Sequence, residues 1–293
     1  MNLPIYSRIC YKSPRYVLWY SICVILFLGM VVLYGKKERM VEPYTNTSIH
    51  TDSVRNVPPV YCLMVTGYTS ARIPYARASV RNFSEQTYSN KHLVVLNQAG
   101  ETVLTDDEHT RDNMIEFFVD KRGKTLGELR NISLQFVPPD AVWTTWDDDD
   151  WRAPSYISTM LEAMHKHDTR FIMFMNRIEY NRLNSHAFRL TLRSGLMTFF
   201  ARQHPGLLYA HVDTSEDRPL KEYARTRLKP FVLDNDPKLY VRLIHDDNTS
   251  VYIDKDRSHI RDTTKNKDFF ERELNDEEQA LVGRLSGEYF KAS

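Results

Sequence analysis

The sequence is short of cysteine and has no excess of charge of either sign. Its cysteines, Cys10, Cys23 and Cys62, are too few and too scattered for a disulfide framework or a zinc site. A formal net charge of +1 over 293 residues provides no basic surface of the kind that binds nucleic acid. Apolar residues make up 42% of the chain, which is enough for one sizeable core or two small ones.

A long apolar run lies near the N-terminus. Residues 17–34 read VLWYSICVILFLGMVVLY, contain no charge and approach the shortest length that spans a bilayer as a helix. We interpret the run as a membrane anchor, because a cleaved signal peptide has a shorter apolar region and a small-residue cleavage site. A buried core helix is the alternative. Lysine and arginine flank both ends of the run, so their distribution does not determine on which side of the membrane the globular domain lies. A type II single-pass protein is expected, in a Golgi- or ER-like membrane if the source is eukaryotic.

The anchor divides the chain into segments of different composition. The stem that follows it is polar, contains Pro43 and Pro58 and shows no regular periodicity. The last segment is charged and carries apolar residues at helical spacing, which predicts an amphipathic helix packed on the globular domain. The predicted segments are a tail (1–16), the anchor (17–34), the stem (35–58), a globular domain (59–255) and a charged helical tail (256–293).

Four sequence patterns match the acceptor for N-linked glycosylation. They begin at Asn46, Asn82, Asn131 and Asn248. Such short patterns arise by chance and act only in a lumenal protein, and only Asn46 lies in a plainly exposed segment. We therefore expect them to be used only if the globular domain is lumenal.

The globular domain begins with a strand, a helix and a second strand. Residues 60–65 and 92–96 are continuous apolar runs of strand length. Between them, Pro74 fits the first turn of a helix whose apolar residues recur at helical spacing. Two strands buried on both faces predict a mostly parallel, mixed α/β sheet with helices outside. Further strands are predicted at 115–119, 141–146, 170–175, 187–192, 196–201 and 239–244.

Four consecutive aspartates, residues 147–150, follow the predicted strand 141–146. Adjacent carboxylates repel one another, so they require a cation, a helix N-terminus or open water. A divalent metal is one explanation, and a solvated acidic turn is the other. In open α/β sheets this edge is where ligands bind. Pro154 begins the next predicted helix, whose N-terminus also tolerates anions.

Three further polar groups are candidates for a site. The loop 121–127 is basic and contains two glycines, so it either holds an anion or is a solvated turn; it lacks the spacing of a phosphate-binding P-loop. Glu216 and Asp217 lie in the first turn of a predicted helix, where acids also complement the helix dipole. His245 ends the last predicted strand and is either a surface residue or a metal ligand.

Several short motifs between residues 60 and 250 together resemble those of the family-2 glycosyltransferases of the GT-A fold. In chain order they are F-S-E-Q-T-Y before the second strand, L-R-N at 129–131, the DXD-like W-D-D-D-D-W with Pro154, the pair Glu216-Asp217, and Y-V-R-L-I-H at 240–245 with Asn248 and Ser250. One departure concerns the second strand, which ends N-Q-A-G where the family has an aspartate-rich turn. Because of that change, the sequence does not indicate which nucleobase the donor carries.

The resemblance implies a metal-dependent, inverting transfer of sugar from a nucleotide-sugar donor to a hydroxyl of a glycan, lipid or protein. A Mn²⁺ or Mg²⁺ ion would neutralise the leaving diphosphate of a UDP-, GDP- or dTDP-sugar. Asp217 would be the general base. The implied metal ligands are Asp147, Asp149 and His245, and the implied donor-binding residues are Thr66, Asn97, Lys124, Arg130, Asp147 and Asp148.

Two other functions remain open at the level of sequence. The altered turn at Asn97 is compatible with a catalytically silent GT-A domain that serves as a membrane-anchored binding or scaffold protein. A two-metal hydrolase is the weaker alternative, because few other carboxylates or histidines have the spacing to complete such a site. Donor binding without hydrolysis or transfer is the observation that favours the silent domain.

Overall fold

The computed structural model describes residues 58–111, 113–120, 123–139, 141–196, 198–246 and 269–290. The predicted tail and anchor and nearly all of the predicted stem lie outside these residues, so the anchor at 17–34 stays a prediction. Within the described ranges no helix combines the length and the apolar character needed to cross a bilayer.

The strands form two sheets. The first contains β1 (Val60–Val65), β2 (Lys91–Asn97), β3 (Met114–Phe118), β4 (Val142–Thr145), β6 (Phe171–Phe174), β9 (Phe199–Arg202) and β10 (Phe231–Leu233). The second contains β5 (Trp151–Arg152), β7 (Asn176–Asn181), β8 (His186–Leu192), β11 (Tyr240–Ile244) and β12 (Phe269–Arg272).

The α-helices of the described residues are α1 (Ile73–Ser84), α2 (Asp106–His109), α3 (Leu126–Leu134), α4 (Tyr156–Lys166), α5 (Arg218–Tyr223) and α6 (Asp276–Glu288). Pro74 stands in the first turn of α1, as predicted. Helix α3 begins with a capping box, in which the Thr125 hydroxyl and the Glu128 carboxylate satisfy each other's backbone N–H groups. These signals fix where the two helices start, and so where the loops before them meet the sheet.

The strand order of the first sheet creates a switch point beside β1. The order is β10-β6-β9-β4-β1-β2-β3, and within it only β9 runs antiparallel to its neighbours. From β1 the chain moves outward to β2 and β3, then returns to β4 on the other side. The carboxyl ends of β1, β2 and β4 therefore meet where ligands bind in such sheets. The predicted mixed α/β architecture with a mostly parallel central sheet is confirmed.

Helices cover both faces of the first sheet. On one face, apolar side chains of α1 and α4 pack with Cys62 and Met64 of β1. On the other, α3 and α5 pack with Leu63 of β1 and Trp143 of β4. Alternate residues of one strand thus enter opposite cores, which explains why its sequence is apolar throughout.

The thiol of Cys62 is enclosed in the first of these cores. Its side chain is fully buried, and burial raises the pKa of Cys62 to about 12. Because the thiolate is the reactive form, we expect iodoacetamide to leave Cys62 unmodified in the native protein and to modify it in denaturant. Peptide mapping by mass spectrometry measures this directly. Rapid modification of Cys62 under native conditions would contradict the packing of β1.

The second sheet joins the C-terminal segment to the domain. Helix α6 buries Leu281, Val282 and Leu285 against β7 and β11. The segment predicted as one amphipathic helix differs at its start, because Phe269–Arg272 forms strand β12, paired antiparallel with β8. An open edge of β8 thereby gains backbone hydrogen bonds that a helix at this position would not provide.

Asn82 links α1 to the second sheet. Its side-chain Nδ2 donates to the Arg152 carbonyl at 2.7 Å, and its Oδ1 accepts from the Arg152 N–H at 2.9 Å. The side chain has no solvent exposure. The glycosylation pattern at Asn82 is therefore inaccessible in the folded protein, and this amide serves the structure instead.

Candidate functional site

A cleft of about 730 Å³ opens at the carboxyl ends of β1 and β4. Its volume lies in the range of small-molecule sites. The cleft brings together seven of the nine residues predicted from sequence, namely Thr66, Lys124, Arg130, Asp147, Asp148, Asp149 and Asp217. Asn97 and His245 do not line it.

Arg130 of α3 joins the aspartate run to Glu216. Its Nη2 donates to Asp147 Oδ1 at 2.9 Å, and its Nη1 donates to Glu216 Oε1 at 2.5 Å. The guanidinium carbon also lies 5.4 Å from the centroid of the Tyr209 ring. Burial opposes its charge, but the charges of Asp147 and Glu216 outweigh that effect and raise the pKa of Arg130. One permanent cation thus connects two acidic segments that are far apart in sequence.

Arg72, the residue before α1, inserts its guanidinium among three other side chains. Its Nη2 donates to Asp149 Oδ2 at 3.0 Å, its Nε donates to Asp148 Oδ2 at 3.3 Å, and its Nη1 lies 2.6 Å from His245 Nε2. The Gly67 N–H also donates to Asp148 Oδ2, at 2.9 Å. Burial alone would raise the pKa of Asp149, yet Arg72 and His245 hold it well below its usual range.

Asp150 attaches the aspartate run to β11. Its Oδ1 accepts from the Leu243 N–H at 3.0 Å, and its Oδ2 accepts from the Tyr240 hydroxyl. Burial, together with the charges of Asp149 and Asp147, raises the pKa of Asp150 to about 7. This carboxyl therefore fixes the turn to the second sheet.

A third arginine, Arg152, is buried near the aspartates. The guanidinium carbon of Arg152 is 4.2 Å from the centroid of the Trp146 ring and 5.1 Å from that of Tyr240. The helix predicted to begin at Pro154 starts at Tyr156, and the short strand β5 lies between it and the aspartates. Arginine side chains, rather than that helix, compensate the charge.

The predicted metal ligands are only partly brought together. Asp149 Oδ2 and His245 Nε2 lie 3.0 Å apart, about the separation of two adjacent ligands of one small divalent ion. Asp147 instead bonds Arg130, and the described residues contain no group of three or more His, Cys, Asp or Glu side chains able to hold a metal. An oxygen and an imidazole nitrogen fit a divalent ion when phosphate oxygens or water complete its shell.

Of the two residues predicted to line a nucleoside pocket at the ends of β1 and β2, Thr66 lines the cleft and Asn97 does not. Thr66 lines the cleft, and its Oγ1 accepts from the Gln98 N–H at 2.9 Å. The Asn97 amide is held by its neighbours: Nδ2 donates to the Glu101 carbonyl at 2.6 Å and to Glu116 Oε1 at 2.5 Å, and Oδ1 accepts from the Ala99 N–H at 2.7 Å and from Thr66 Oγ1 at 3.4 Å. Gln98, rather than Asn97, is the residue of this turn that lines the cleft.

Glu216 and Asp217 have different environments. Glu216 is buried and bound to Arg130, and burial raises its pKa against the opposing charge of that arginine. Asp217 occupies the N-cap position of α5, but its side chain makes no capping hydrogen bond, and it lines the cleft. Asp217 thus makes no capping hydrogen bond, and the alternative in which these acids complement the helix dipole is left as predicted.

Gly127 allows α3 to touch the loop that precedes Glu216. Its N–H donates to the Val212 carbonyl at 3.1 Å, and a Cβ at this position would lie 1.6 Å from the Ala210 carbonyl oxygen. We expect Gly127→Ala to lower the free energy of unfolding by about 1–3 kcal/mol through this overlap. Urea denaturation measures the change.

Gly283→Ala in α6 is the matched control, because a Cβ there meets nothing within 4 Å. Removing a helical glycine should stabilise the protein by about 0.5–1 kcal/mol. Equal effects of the two substitutions would show that the contact between α3 and the loop before Glu216 is absent.

Sequence reasoning missed Arg72, Gln98 and the support given by Arg152. Arg72 had a usable signal, because it stands between the first strand and a helix that starts with proline, and so at the same sheet edge as the aspartates. Arg152 directly follows the acidic stretch and Trp151. Nothing local distinguishes Gln98 from Asn97.

No protein-family model and no curated protein matches the sequence. Solved structures do match the fold. The complex of S. aureus TarS residues 1–349 with UDP-GlcNAc has a TM-score of 0.52 at 13% identity, covering 65% of this chain and 60% of that one. The TarS 1–349 complex with UDP has a TM-score of 0.50 at 12% identity, covering 64% and 60%. The match thus spans less than two thirds of the TarS chains, and what it shares with them is the fold.

Proposed function

We propose that this protein transfers a sugar from a nucleotide-sugar donor to an acceptor hydroxyl with inversion at the sugar carbon. The observation that carries the proposal is the cleft at the switch point, where Asp217 and the aspartate run line one cavity and Arg130 connects them. The UDP-GlcNAc bound by TarS in the same fold supports a nucleotide-sugar as the ligand. The acceptor is a glycan, lipid or protein.

Each group in the cleft has a role in this proposal. Thr66 and Gln98, at the ends of β1 and β2, contact the nucleoside, and Asp147 contacts its ribose. Lys124 and Arg130 provide positive charge to the diphosphate or the sugar. Asn97 orders the turn that presents Gln98.

Asp217 acts as the general base. Its carboxylate accepts the proton of the acceptor hydroxyl as that oxygen attacks the anomeric carbon. The bond from this carbon to the donor phosphate breaks, and its electron pair leaves with the nucleoside diphosphate. Attack from the face opposite the leaving group inverts the configuration.

A divalent ion is the predicted cofactor of this site. Asp149 and His245 would hold the ion. Asp147 would become a further ligand only after its hydrogen bond to Arg130 is broken. When bound, Mn²⁺ or Mg²⁺ supplies charge that neutralises the leaving diphosphate. The N-terminal anchor at 17–34 would place this activity at a membrane in a type II arrangement.

A donor screen tests the proposal. The full-length protein is incubated with UDP-, GDP- and dTDP-sugars and Mn²⁺, and release of the nucleoside diphosphate is measured with and without chelator. We expect release from one donor class and its loss on chelation. The absence of release from every donor, with an acceptor mixture of glycans, lipids and proteins present, would contradict the proposed function.

A further inference from the structure

Arg72 contacts the same atoms that the predicted metal requires. Its Nη2 lies 3.0 Å from Asp149 Oδ2, and its Nη1 lies 2.6 Å from His245 Nε2. These two acceptor atoms are themselves 3.0 Å apart. A metal ion bound to both Asp149 Oδ2 and His245 Nε2 would lie very close to the positive guanidinium of Arg72. The two cations would repel each other, so the metal ion and the guanidinium cannot occupy this position together.

The contacts of His245 Nε2 are in conflict while Arg72 is present. Arg72 can only donate a hydrogen bond, and an ionised Asp149 can only accept one. One imidazole nitrogen cannot accept from the first and donate to the second at the same time. A divalent ion in place of the guanidinium removes the conflict, because it takes a lone pair from Nε2 and another from the carboxylate.

Arg72 also separates His245 from the cleft. His245 is fully buried and stacked on Tyr75, with ring centroids 4.7 Å apart, whereas Arg72 lines the cleft. The position of Arg72 depends on Gly67, since a Cβ on Gly67 would lie 2.3 Å from Arg72 Cγ. A metal reaches His245 from the cleft only after Arg72 has moved aside.

We infer that Arg72 is an internal cation that occupies the metal position and must be displaced when a divalent ion binds Asp149 and His245. The inference rests on the proposed function, which assigns the divalent ion to Asp149 and His245. A nucleoside diphosphate in the cleft offers anionic partners to the ion and to the displaced guanidinium, so it favours the exchange. Metal and nucleotide binding are therefore positively coupled through Arg72, and the coupling is reciprocal.

The test measures Mn²⁺ binding to the full-length protein by electron paramagnetic resonance, without sugar transfer. Arg72→Met removes the cation and keeps much of the side-chain volume. We expect it to bind Mn²⁺ at least tenfold more tightly than the wild type when no nucleotide is present. We also expect UDP to strengthen Mn²⁺ binding by a smaller factor in Arg72→Met than in the wild type.

Two further variants locate the effect. Lys221→Met removes one positive charge from another part of the cleft wall and is expected to leave Mn²⁺ affinity nearly unchanged. Asp149→Asn in the Arg72→Met background is expected to abolish the gain. An equal gain in Lys221→Met, or a gain that survives Asp149→Asn, would overturn the inference.

Gly67→Ala provides a second test that retains the charge. The added methyl displaces the flexible Arg72 side chain and is also expected to increase Mn²⁺ affinity, including in the case that Arg72→Met does not fold. Unchanged or weaker Mn²⁺ binding in the folded variants overturns the inference. Because no donor sugar is used, such a failure is distinct from a failure of the donor screen, which would remove the proposed function itself.

Discussion

Asp217→Asn is expected to lower the rate of sugar transfer by about 10²- to 10⁴-fold, the usual contribution of a general base. An amide has nearly the shape of the carboxylate but cannot accept the proton of the acceptor hydroxyl. Asp217 makes no capping hydrogen bond to α5, so its replacement should not change folding stability. The rate is measured as product formed at saturating donor and acceptor, and donor affinity is measured separately by calorimetry.

The control for this substitution is Glu162→Gln, which neutralises an exposed carboxylate on α4. It should leave transfer unchanged. Asp217→Asn should retain donor affinity, because the proposed function has this carboxylate act on the acceptor. Transfer at the wild-type rate in Asp217→Asn would remove the assigned base, and loss of donor binding together with transfer would give Asp217 a binding role instead.

Arg130→Met should have the second large effect, because Arg130 bonds two carboxylates in the structure and the proposed function also gives it a role in donor binding. Without the guanidinium, the buried Glu216 carboxylate loses a charged partner, which costs about 1–3 kcal/mol. Asp147 is also released from its fixed position. We expect about a 10²- to 10³-fold loss of transfer, the range for removal of one positioned charged donor. Urea denaturation and steady-state kinetics measure the two effects separately.

Two variants distinguish geometry from charge at Arg130. Arg130→Lys keeps the positive charge but cannot bond both carboxylates at once, so we expect its transfer rate to lie between those of the wild type and Arg130→Met. Arg81→Met removes an exposed arginine from α1 and should change neither stability nor rate. Full activity in Arg130→Met would show that the connection between Asp147 and Glu216 is not needed.

Local pattern was sufficient to predict the strands around the switch point. The apolar runs at β1, β2 and β4 are buried on both faces, and such strands are recognisable from composition alone. The position of the aspartates at the carboxyl end of β4 followed from the same pattern. Thr66 and the aspartates line one cleft for this reason, because that edge of a parallel sheet collects the ends of several strands. Arg130 and Asp217 line the same cleft from helix α3 and from the start of α5.

Strand β7 could not be predicted in the same way. It reads N-R-I-E-Y-N, and its apolar residues Ile178 and Tyr180 are buried by α6, which comes about a hundred residues later in the chain. The partners of Arg72 were hidden for a similar reason, since Asp149 lies 77 positions away and His245 lies 173. A sequence window records which charges exist, but tertiary packing decides which of them meet.

The central claim is that the cleft binds a nucleotide-sugar and that Asp217 acts on the bound complex. Titration of the nucleotide-sugar identified by the donor screen into the wild type and Asp217→Asn in Mn²⁺, paired with measurement of nucleoside diphosphate release in the same samples, tests it most directly. We predict that both proteins bind the donor with similar affinity and that only the wild type releases the nucleoside diphosphate at an appreciable rate. Binding without release in the wild type, in the presence of acceptor, would contradict the claim and favour a catalytically silent binding domain.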